Sequence, residues 1–288
     1  MTSNVYVLAF LAYFVFSIAD SCIKAVGPRV GVLEISFAMS AVAVLTIVLF
    51  SGRDEQWRGF WRSPQPFRVH GRAVCGVISG IGSVYAFTTI PLVDACAVLF
   101  LAPFFVTVLS RLVLGEEIGA FRWCAVAVGF AGVLLVVRPT FQTVETGHVA
   151  ALAAGMATGC AIVIMRSLSP GVRRASVLGL LFTYALVVKS ALLFALGFAI
   201  PGLADGAALA VAGACAGLGQ IALLGATRAG HASQVAPFAY TQLGWAVVFG
   251  AFFFGEIPDA VAVGGICCIV AAGLMTVLRE RLKRSSAV

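Results

Sequence analysis

The sequence predicts an all-α membrane protein of ten transmembrane helices, arranged as two inverted repeats of five helices. Of its 288 residues, 61% are hydrophobic and only 11% are charged, whereas soluble domains average about 25% charged residues. Short sequence patterns also recur in the same order about 140 residues apart. A repeat with an odd number of spans enters the membrane in the opposite orientation from its predecessor. We therefore predict one repeat at 1–140 and a second, inverted repeat at 141–288.

Ten apolar segments are each close to the ~20 residues that a spanning helix needs. They lie at 4–24, 32–51, 70–90, 93–114, 120–138, 147–166, 175–198, 204–226, 232–254 and 259–279. The longest loop runs from Gly52 to about Val69, which leaves no room for a soluble enzyme domain. The first segment follows no basic region and is as long as the others, so we interpret it as a retained span.

The basic residues are distributed unequally between the two predicted faces. The face of the chain termini carries fifteen of them, namely Arg53, Arg58, Arg62, Arg68, Arg72, Arg111, Arg122, Arg166, Arg173, Arg174, Arg228, Arg279, Arg281, Lys283 and Arg284. The opposite face carries Lys24, Arg29 and Arg138. By the positive-inside rule, both termini are predicted to lie in the cytoplasm, in a multi-pass protein of the inner (plasma) membrane. The net charge of +7 then reflects topology and contact with membrane lipid, and no nucleic-acid partner is predicted.

The sequence offers no residues for enzymatic or metal chemistry. The eight cysteines lie in or beside apolar spans without Cys-x-x-Cys or Cys/His spacing, so they are expected to pack as small apolar residues. The three histidines lie at span edges or in loops, and nucleophile motifs are absent. We predict a protein that is not an enzyme and has no cofactor and no metal site.

Three patterns support the duplication. A basic residue is followed by proline four residues later at the ends of spans one and six, a Gly-x-Gly pattern lies in spans three and eight, and a Gly-Glu pair follows spans four and nine. The matching residues are Lys24 to Pro28 and Arg166 to Pro170, Gly80 to Gly82 and Gly217 to Gly219, and Gly115-Glu116 and Gly255-Glu256. Each pattern is weak alone, but their common order and spacing indicate a five-plus-five repeat.

Together with Pro103 in Leu-Ala-Pro-Phe-Phe, these motifs resemble the EamA-type family of the drug/metabolite transporter superfamily, over essentially the whole chain. The resemblance implies a ten-helix inverted-repeat carrier that exports small metabolites, amino acids or drugs from the bacterial cytoplasm. Within that family, the aromatic content of the predicted pore is most similar to exporters of aromatic and neutral amino acids.

Two polar stripes are the main candidates for the substrate site. Span one places Tyr13, Ser17, Asp20, Ser21 and Lys24 on one helical face, and span nine repeats that spacing with Gln234, Phe238, Thr241, Gln242 and Trp245. Polar residues inside spans usually face partners or water rather than lipid. Hydrogen bonding between packed helices is the alternative role for both stripes.

Other spans add further candidates. Ser83 and Tyr85 in span three, Gln220 in span eight and Tyr240 in span nine could contact a neutral or aromatic solute. For Ser83 and Gln220, a hydrogen bond between packed helices is the alternative role. Pro103 and Pro237 each remove a backbone hydrogen bond and could act as gating points or static kinks. Spans five and ten hold almost no polar residue and can therefore face lipid all round, so we expect them to lie outside the pore. A contact in a dimer is the alternative role for their surfaces.

Charged residues within spans need partners. Lys189, near the middle of span seven, is predicted either to contact a substrate carboxylate or to be a structural charge. Asp20 is a candidate for proton coupling, but we expect Asp20 and Glu34 to form ion pairs with Lys24 and Arg29.

These observations predict a secondary transporter that exports small neutral or aromatic amino acids and related metabolites by alternating access. Its partners would be a small-molecule substrate and membrane lipid, with the chain a monomer or a homodimer. A proton-coupled exporter of cationic drugs is the alternative within transport, and a passive channel or a scaffold is the alternative from another class.

Overall fold

The computed structural model describes residues 2–50, 59–117, 119–138, 144–169, 171–229, 235 and 238–285. Within these ranges the structure is helical, with eleven segments and no strand. They are α1 (Thr2–Val26), α2 (Val32–Phe50), α3 (Pro66–Thr89), α4 (Leu92–Leu99), α5 (Ala102–Val113), α6 (Ala120–Val137), α7 (Thr146–Arg166), α8 (Arg174–Leu196), α9 (Leu203–Ala229), α10 (Ala239–Phe254) and α11 (Ala260–Ser285). Because α4 and α5 together form one span, the predicted fold of ten membrane helices is confirmed.

The described helices differ in how strongly they resemble membrane spans. Six segments of α1, α2, α4 with α5, α7, α8 and α9 are long and apolar enough to cross a membrane. Shorter apolar segments lie in α6, α10 and α11. The remaining helix, α3, is more polar because Arg68, His70 and Arg72 lie near its beginning. Its end is apolar and contributes Phe87 to the largest buried cluster, which also contains residues of α1, α4 and α10.

Span four is interrupted where its proline predicts a break. The helix α4 ends at Leu99, and α5 begins at Ala102 with Pro103 in its first turn. A proline ring clashes with the carbonyl four residues earlier, which is that of Leu99, and proline is well tolerated in a first turn. The sequence prediction of a kink at Pro103 is therefore confirmed, with the break on its N-terminal side.

The two repeats make equivalent helix contacts. The two most extensive helix interfaces are α1 with α9 and α3 with α7. The first joins spans one and eight, and the second joins spans six and three, which are their counterparts in the other repeat. A side chain at Gly82 of α3 would press against the Ala150 carbonyl of α7, and one at Gly219 of α9 would collide with Phe16 of α1. These glycines therefore permit the same close approach of helices in both repeats.

The turns after spans four and nine are also equivalent. Gly115 and Gly255 have φ angles of 67° and 68°, a left-handed conformation that glycine adopts without steric cost. The amide of Glu116 donates to the Ser110 carbonyl, and that of Glu256 donates to the Gly250 carbonyl. The Gly-Glu motif thus encodes one turn that is built twice. The predicted boundary between residues 140 and 141 lies outside the described ranges.

Spans five and ten lie beside spans four and nine, and they cover part of each other instead of facing lipid all round. Their helices α6 and α11 pack extensively on each other. A Cβ atom at Gly265 would lie 2.6 Å from the Gly132 carbonyl oxygen. Small residues let helix backbones approach closely in a membrane, and a hydropathy pattern does not reveal this contact.

The close approach of α6 and α11 predicts a position-specific loss of stability. Replacing Gly265 with Leu should lower the free energy of unfolding by about 1–3 kcal/mol, because the new side chain overpacks the interface. Gly264→Leu is the matched control, since no heavy atom lies within 4 Å of a Cβ atom placed there. Thermal unfolding of the two variants in detergent measures the difference, and equal melting temperatures would contradict the packing argument.

Candidate substrate-binding seam and gates

Residues of the predicted span-nine stripe contact α1, and one of them meets Asp20 of the predicted span-one stripe. Tyr6 lies 6.0 Å from Phe238 between ring centroids, and Trp245 lies 4.9 Å from Phe14. The Gln242 side-chain amide donates a hydrogen bond of 2.7 Å to the Asp20 carboxylate. We call the contact formed by these residues the α1–α10 seam. It brings an acidic group, an amide and several aromatic faces together.

Other members of the stripes bond within their own helices. The Ser17 hydroxyl donates to the Tyr13 carbonyl at 2.8 Å, and the Thr241 hydroxyl donates to the Phe238 carbonyl at 2.6 Å. Tyr13 is half-buried, with its ring 6.0 Å from that of Phe16. The side chains that reach across the seam are therefore the carboxylate, the amide and the aromatic rings.

Tyr240 occupies a different face of α10. Its ring stacks on Phe100 at 5.4 Å, beside the break between α4 and α5. A side chain at Gly273 of α11 would collide with the Tyr240 ring. A small cavity of about 40 Å³ adjoins Tyr240 and Pro103. These two predicted residues therefore lie together, next to the helix break rather than in the seam.

The remaining candidates are dispersed. The Tyr85 hydroxyl lies 2.9 Å from the Thr146 hydroxyl at the beginning of α7. Ser83 is half-buried in α3, whereas Gln220 is exposed on α9. Lys189 is buried between α8, α2 and α3. The predicted site residues Gln234 and Pro237 lie outside the described residues.

An ion pair closes one end of the bundle, which we call the distal face and define by Lys24, Ile90 and Glu256. The Lys24 ammonium lies 2.7 Å from the Glu256 carboxylate and donates to the Ile90 carbonyl at 2.8 Å. The second carboxylate oxygen of Glu256 accepts a hydrogen bond of 2.9 Å from the Leu92 amide. We call these contacts of Lys24 and Glu256 the distal latch. It ties the end of α1 to the end of α10 and to the beginning of α4.

A related ion pair lies at the opposite end, which we call the terminal face because α1 begins there. Arg166 at the end of α7 lies 3.5 Å from the Glu116 carboxylate after α5, and donates to the Ser110 hydroxyl at 3.2 Å. The motifs of the duplication thus pair across the repeats, each base of one repeat with the acid of the other. We call the Arg166–Glu116 pair the terminal latch. The sequence motifs contain all four residues of the two latches, but they do not indicate which base pairs with which acid.

The two latches differ in tightness. The side chains of Lys24 and Glu256 are 14% and 23% exposed, whereas those of Arg166 and Glu116 are 42% and 39% exposed. The distal pair is also the shorter one. The described conformation is therefore held more firmly at its distal face.

The expected pairing of Asp20 and Glu34 with Lys24 and Arg29 is wrong. Lys24 pairs with Glu256, and Arg29 pairs with Asp205 of α9 at 2.6 Å. Glu34 accepts a hydrogen bond of 3.4 Å from the Ala199 amide. Among the residues that the structure describes, Asp20 has no basic side chain within ion-pair distance. Sequence proximity failed because the cations lie nearer the helix end, where other helices supply carboxylates.

A groove of about 380 Å³ opens beside the distal latch. Its lining includes Asp94, Arg138, Glu256 and Asp259. Arg138 binds Asp259, and this hydrogen bond holds the pKa of the Asp259 carboxyl below its usual value. A lowered carboxyl pKa means that the contact stabilises the fold at neutral pH and is lost only in acid. In the described ranges no group of three or more His, Cys, Asp or Glu side chains is placed to hold a metal ion.

Comparisons with known proteins agree with this architecture. Residues 3–138 match the EamA-like transporter family. A riboflavin transporter of Rhizobium johnstonii is 28% identical over 77% of this chain and 74% of that protein. A pseudopaline exporter of Pseudomonas aeruginosa is 29% identical over 92% of this chain and 93% of that protein. An S-adenosylmethionine uptake transporter of Rickettsia prowazekii is 27% identical over 94% and 91%, respectively.

A solved crystal structure aligns with 97% of this chain and over 98% of its own length. The TM-score of this alignment is 0.66, and the sequence identity is 18%. At this identity the likeness shows the fold alone. The named relatives carry different solutes and include both an exporter and an uptake transporter. Similarity therefore indicates a transporter of small molecules and does not identify the solute.

Proposed function

We propose that this multi-pass membrane protein, whose residues 3–138 match the EamA-like transporter family, exports small neutral or aromatic amino acids and related metabolites by alternating access. The observation that carries the proposal is the α1–α10 seam. It combines the Asp20–Gln242 hydrogen bond with the rings of Phe14 and Trp245.

The seam is chemically suited to a solute with an apolar side chain and a polar end. Aromatic rings offer large apolar contact areas at fixed positions. The Asp20 carboxylate can exchange the hydrogen bond that it accepts from Gln242 for one from a solute ammonium, and the Gln242 side-chain oxygen can accept another. The equivalent interface of the other repeat, between α7 and the α4–α5 span, packs Gly155 and Gly159 against backbone and Phe105 instead. Because this interface is closely packed, it offers less room for a solute, which supports the assignment of the solute to the α1–α10 seam.

The latches supply the alternation. Opening the distal face requires the separation of Lys24 from Glu256, and opening the terminal face requires the separation of Arg166 from Glu116. In secondary carriers with inverted repeats, one repeat rocks against the other around a fixed site. Pairs that join opposite repeats at opposite ends are suited to break in turn.

Orientation and assembly are part of the proposal. The excess of basic residues on the terminal face supports an inner-membrane protein with both termini in the cytoplasm. With that orientation the distal face is outside, and export moves solute from the terminal face to the distal face. We retain 1–140 and 141–288 as the two repeats, and a monomer or homodimer in contact with membrane lipid.

Counterflow in proteoliposomes tests the proposal. Vesicles loaded with unlabelled phenylalanine are expected to accumulate labelled phenylalanine, and other neutral amino acids are expected to compete with saturable kinetics. Cationic and anionic metabolites serve as comparison solutes. A channel would show no counterflow, a scaffold would show no flux, and transport without competition by neutral amino acids would overturn the substrate assignment.

The lack of an ion-pair partner for Asp20 among the described residues favours one second candidate, proton-coupled export of cationic drugs. For that function, Asp20→Asn should abolish transport driven by a pH gradient while counterflow without a gradient persists, because the amide cannot carry a proton between the faces. Vesicle assays with and without an imposed gradient measure this separation. Intact gradient-driven transport in Asp20→Asn would exclude proton coupling through Asp20.

A further inference from the structure

The Lys189 ammonium lies in an unusual environment for a membrane helix. The residue is only 4% exposed. Its Nζ atom donates to the Ser36 carbonyl at 3.1 Å and to the Ser40 hydroxyl at 2.7 Å. No carboxylate of the described residues lies within ion-pair distance. Burial of a charge without a counter-ion is costly, and an ammonium has three N–H donors, of which two are used.

The other repeat is built without a charge at the corresponding position. Gly80 of α3 faces α8, where a Cβ atom would lie 3.6 Å from the Lys189 Nζ. In the other repeat, Gly217 of α9 faces α2, where a Cβ atom would lie 2.7 Å from Thr46. The Thr46 hydroxyl bonds the Val42 carbonyl of its own helix. A neutral residue therefore fills the equivalent position, and the cation is particular to the second repeat.

A second donor beside Lys189 also lacks a partner. The Ser36 hydroxyl is buried and makes no hydrogen bond, although the carbonyl of the same residue accepts from Lys189. Ser40 is already satisfied, because its hydroxyl accepts from Lys189 and donates to the Ser36 carbonyl. The cluster thus retains one ammonium donor and one hydroxyl donor. Two donors with one positive charge suit an anion with two oxygen atoms.

The depth of the cluster suits a transported solute rather than a lipid headgroup. Lys189 lies seven residues before Leu196, the end of α8, which corresponds to roughly 10 Å along the helix. Asp20 lies six residues before Val26 at the end of α1, or roughly 9 Å. Both unpaired charges therefore lie at a similar depth, well inside the helix ends.

We propose that Lys189 and Ser36 form a carboxylate-binding subsite between α2, α3 and α8, so that the transported solutes carry a carboxylate. This inference rests on the proposed transport function and narrows its substrate class. A neutral amino acid presents such a group, and the corresponding amino-acid amide does not. An exporter of purely cationic solutes would have no use for the subsite.

Ligand-induced thermal stabilisation of the purified full chain tests the subsite without relying on transport. The probes are phenylalanine, 3-phenylpropionate and phenylalaninamide. The wild type should bind phenylalanine roughly tenfold or more tightly than phenylalaninamide, which keeps the ammonium, because a hydrogen bond to a charged group is being lost. The acid 3-phenylpropionate, which lacks the ammonium, should still bind through its carboxylate. Lys189→Gln should remove that preference, Lys189→Arg should keep part of it, and Ser36→Ala should weaken carboxylate binding severalfold.

Ser190→Ala, which alters an exposed neighbour on the same helix, is the matched control and should behave as wild type. If Lys189→Gln fails to fold, Ser36→Ala and Lys189→Arg decide the question. An equal affinity of the wild type for acids and amide, or an unchanged preference in the folded variants, would overturn the subsite. Carboxylate binding through Lys189 without counterflow of phenylalanine would instead refute the proposed function and leave the subsite standing.

Discussion

Glu256→Gln is expected to open the distal face and to raise the labelling of Cys96 by a membrane-impermeant maleimide about tenfold. Cys96 is buried in α4, close behind the Leu92 amide that Glu256 binds. The substitution removes the acid that holds Lys24. The measurement uses a chain in which the other seven of the eight cysteines are replaced by alanine, reconstituted with the distal face outward.

The size of this effect follows from the burial of the latch. Breaking a fully buried ion pair costs about 3–5 kcal/mol, whereas an exposed pair contributes about 0–1 kcal/mol. The distal latch is mostly buried but not closed to solvent, so a loss of about 1.4 kcal/mol is a conservative value. It corresponds to about a tenfold shift between the closed and open conformations. Exchange transport should fall as well, because the carrier no longer returns readily to the closed state.

The other repeat provides the matched control. Glu116→Gln loosens the terminal latch, in which the ion pair is longer and more exposed. Its effect on the balance between the closed and open conformations should therefore be smaller than that of Glu256→Gln. It should leave Cys96 labelling from outside unchanged or lower it. Glu117→Gln removes the adjacent exposed carboxylate and should change nothing. Unchanged labelling in Glu256→Gln would show that the distal latch is not a gate.

The sequence predicted the scaffold well because the membrane imposes one strong constraint. Backbone groups in lipid have to be bonded within a helix, so apolar runs translate directly into spans, as for 32–51 and α2 at Val32–Phe50. The break in span four follows from the fixed chemistry of Pro103. The Gly-Glu turns also follow locally, since Gly115 and Gly255 adopt a conformation that favours glycine.

The site was harder to predict because its contacts join helices that are far apart in the sequence. Lys24 is four residues from Asp20, but its partner is Glu256 of the other repeat. The sequence predicts the stripes of spans one and nine as polar faces, yet only the structure shows that Gln242 binds Asp20. Periodicity identifies which side of a helix is polar, and it does not identify the helix that covers it.

Trp245→Ala is expected to reduce transport of aromatic amino acids about tenfold or more in kcat/KM while transport of alanine changes little. The indole packs against Phe14 at 4.9 Å and stacks on Phe249 at 5.5 Å, which leaves an extended aromatic wall along the seam. Burial of a large apolar group is worth about 1.5–3 kcal/mol, and aromatic pairs add about 0.5–1.5 kcal/mol. A solute with a ring would lose such contacts, whereas one with a methyl group has few to lose.

The selectivity ratio separates a solute contact from a packing role. Counterflow of labelled phenylalanine and alanine is measured for the wild type, Trp245→Ala and Trp245→Phe, together with their melting temperatures. Trp245→Phe should retain most of the preference, because a ring remains in place. Phe252→Ala is the control on the same helix, since that side chain is 81% exposed and should affect neither solute. An equal loss for phenylalanine and alanine would indicate that Trp245 only holds α1 against α10, and the aromatic solute would then have to bind elsewhere.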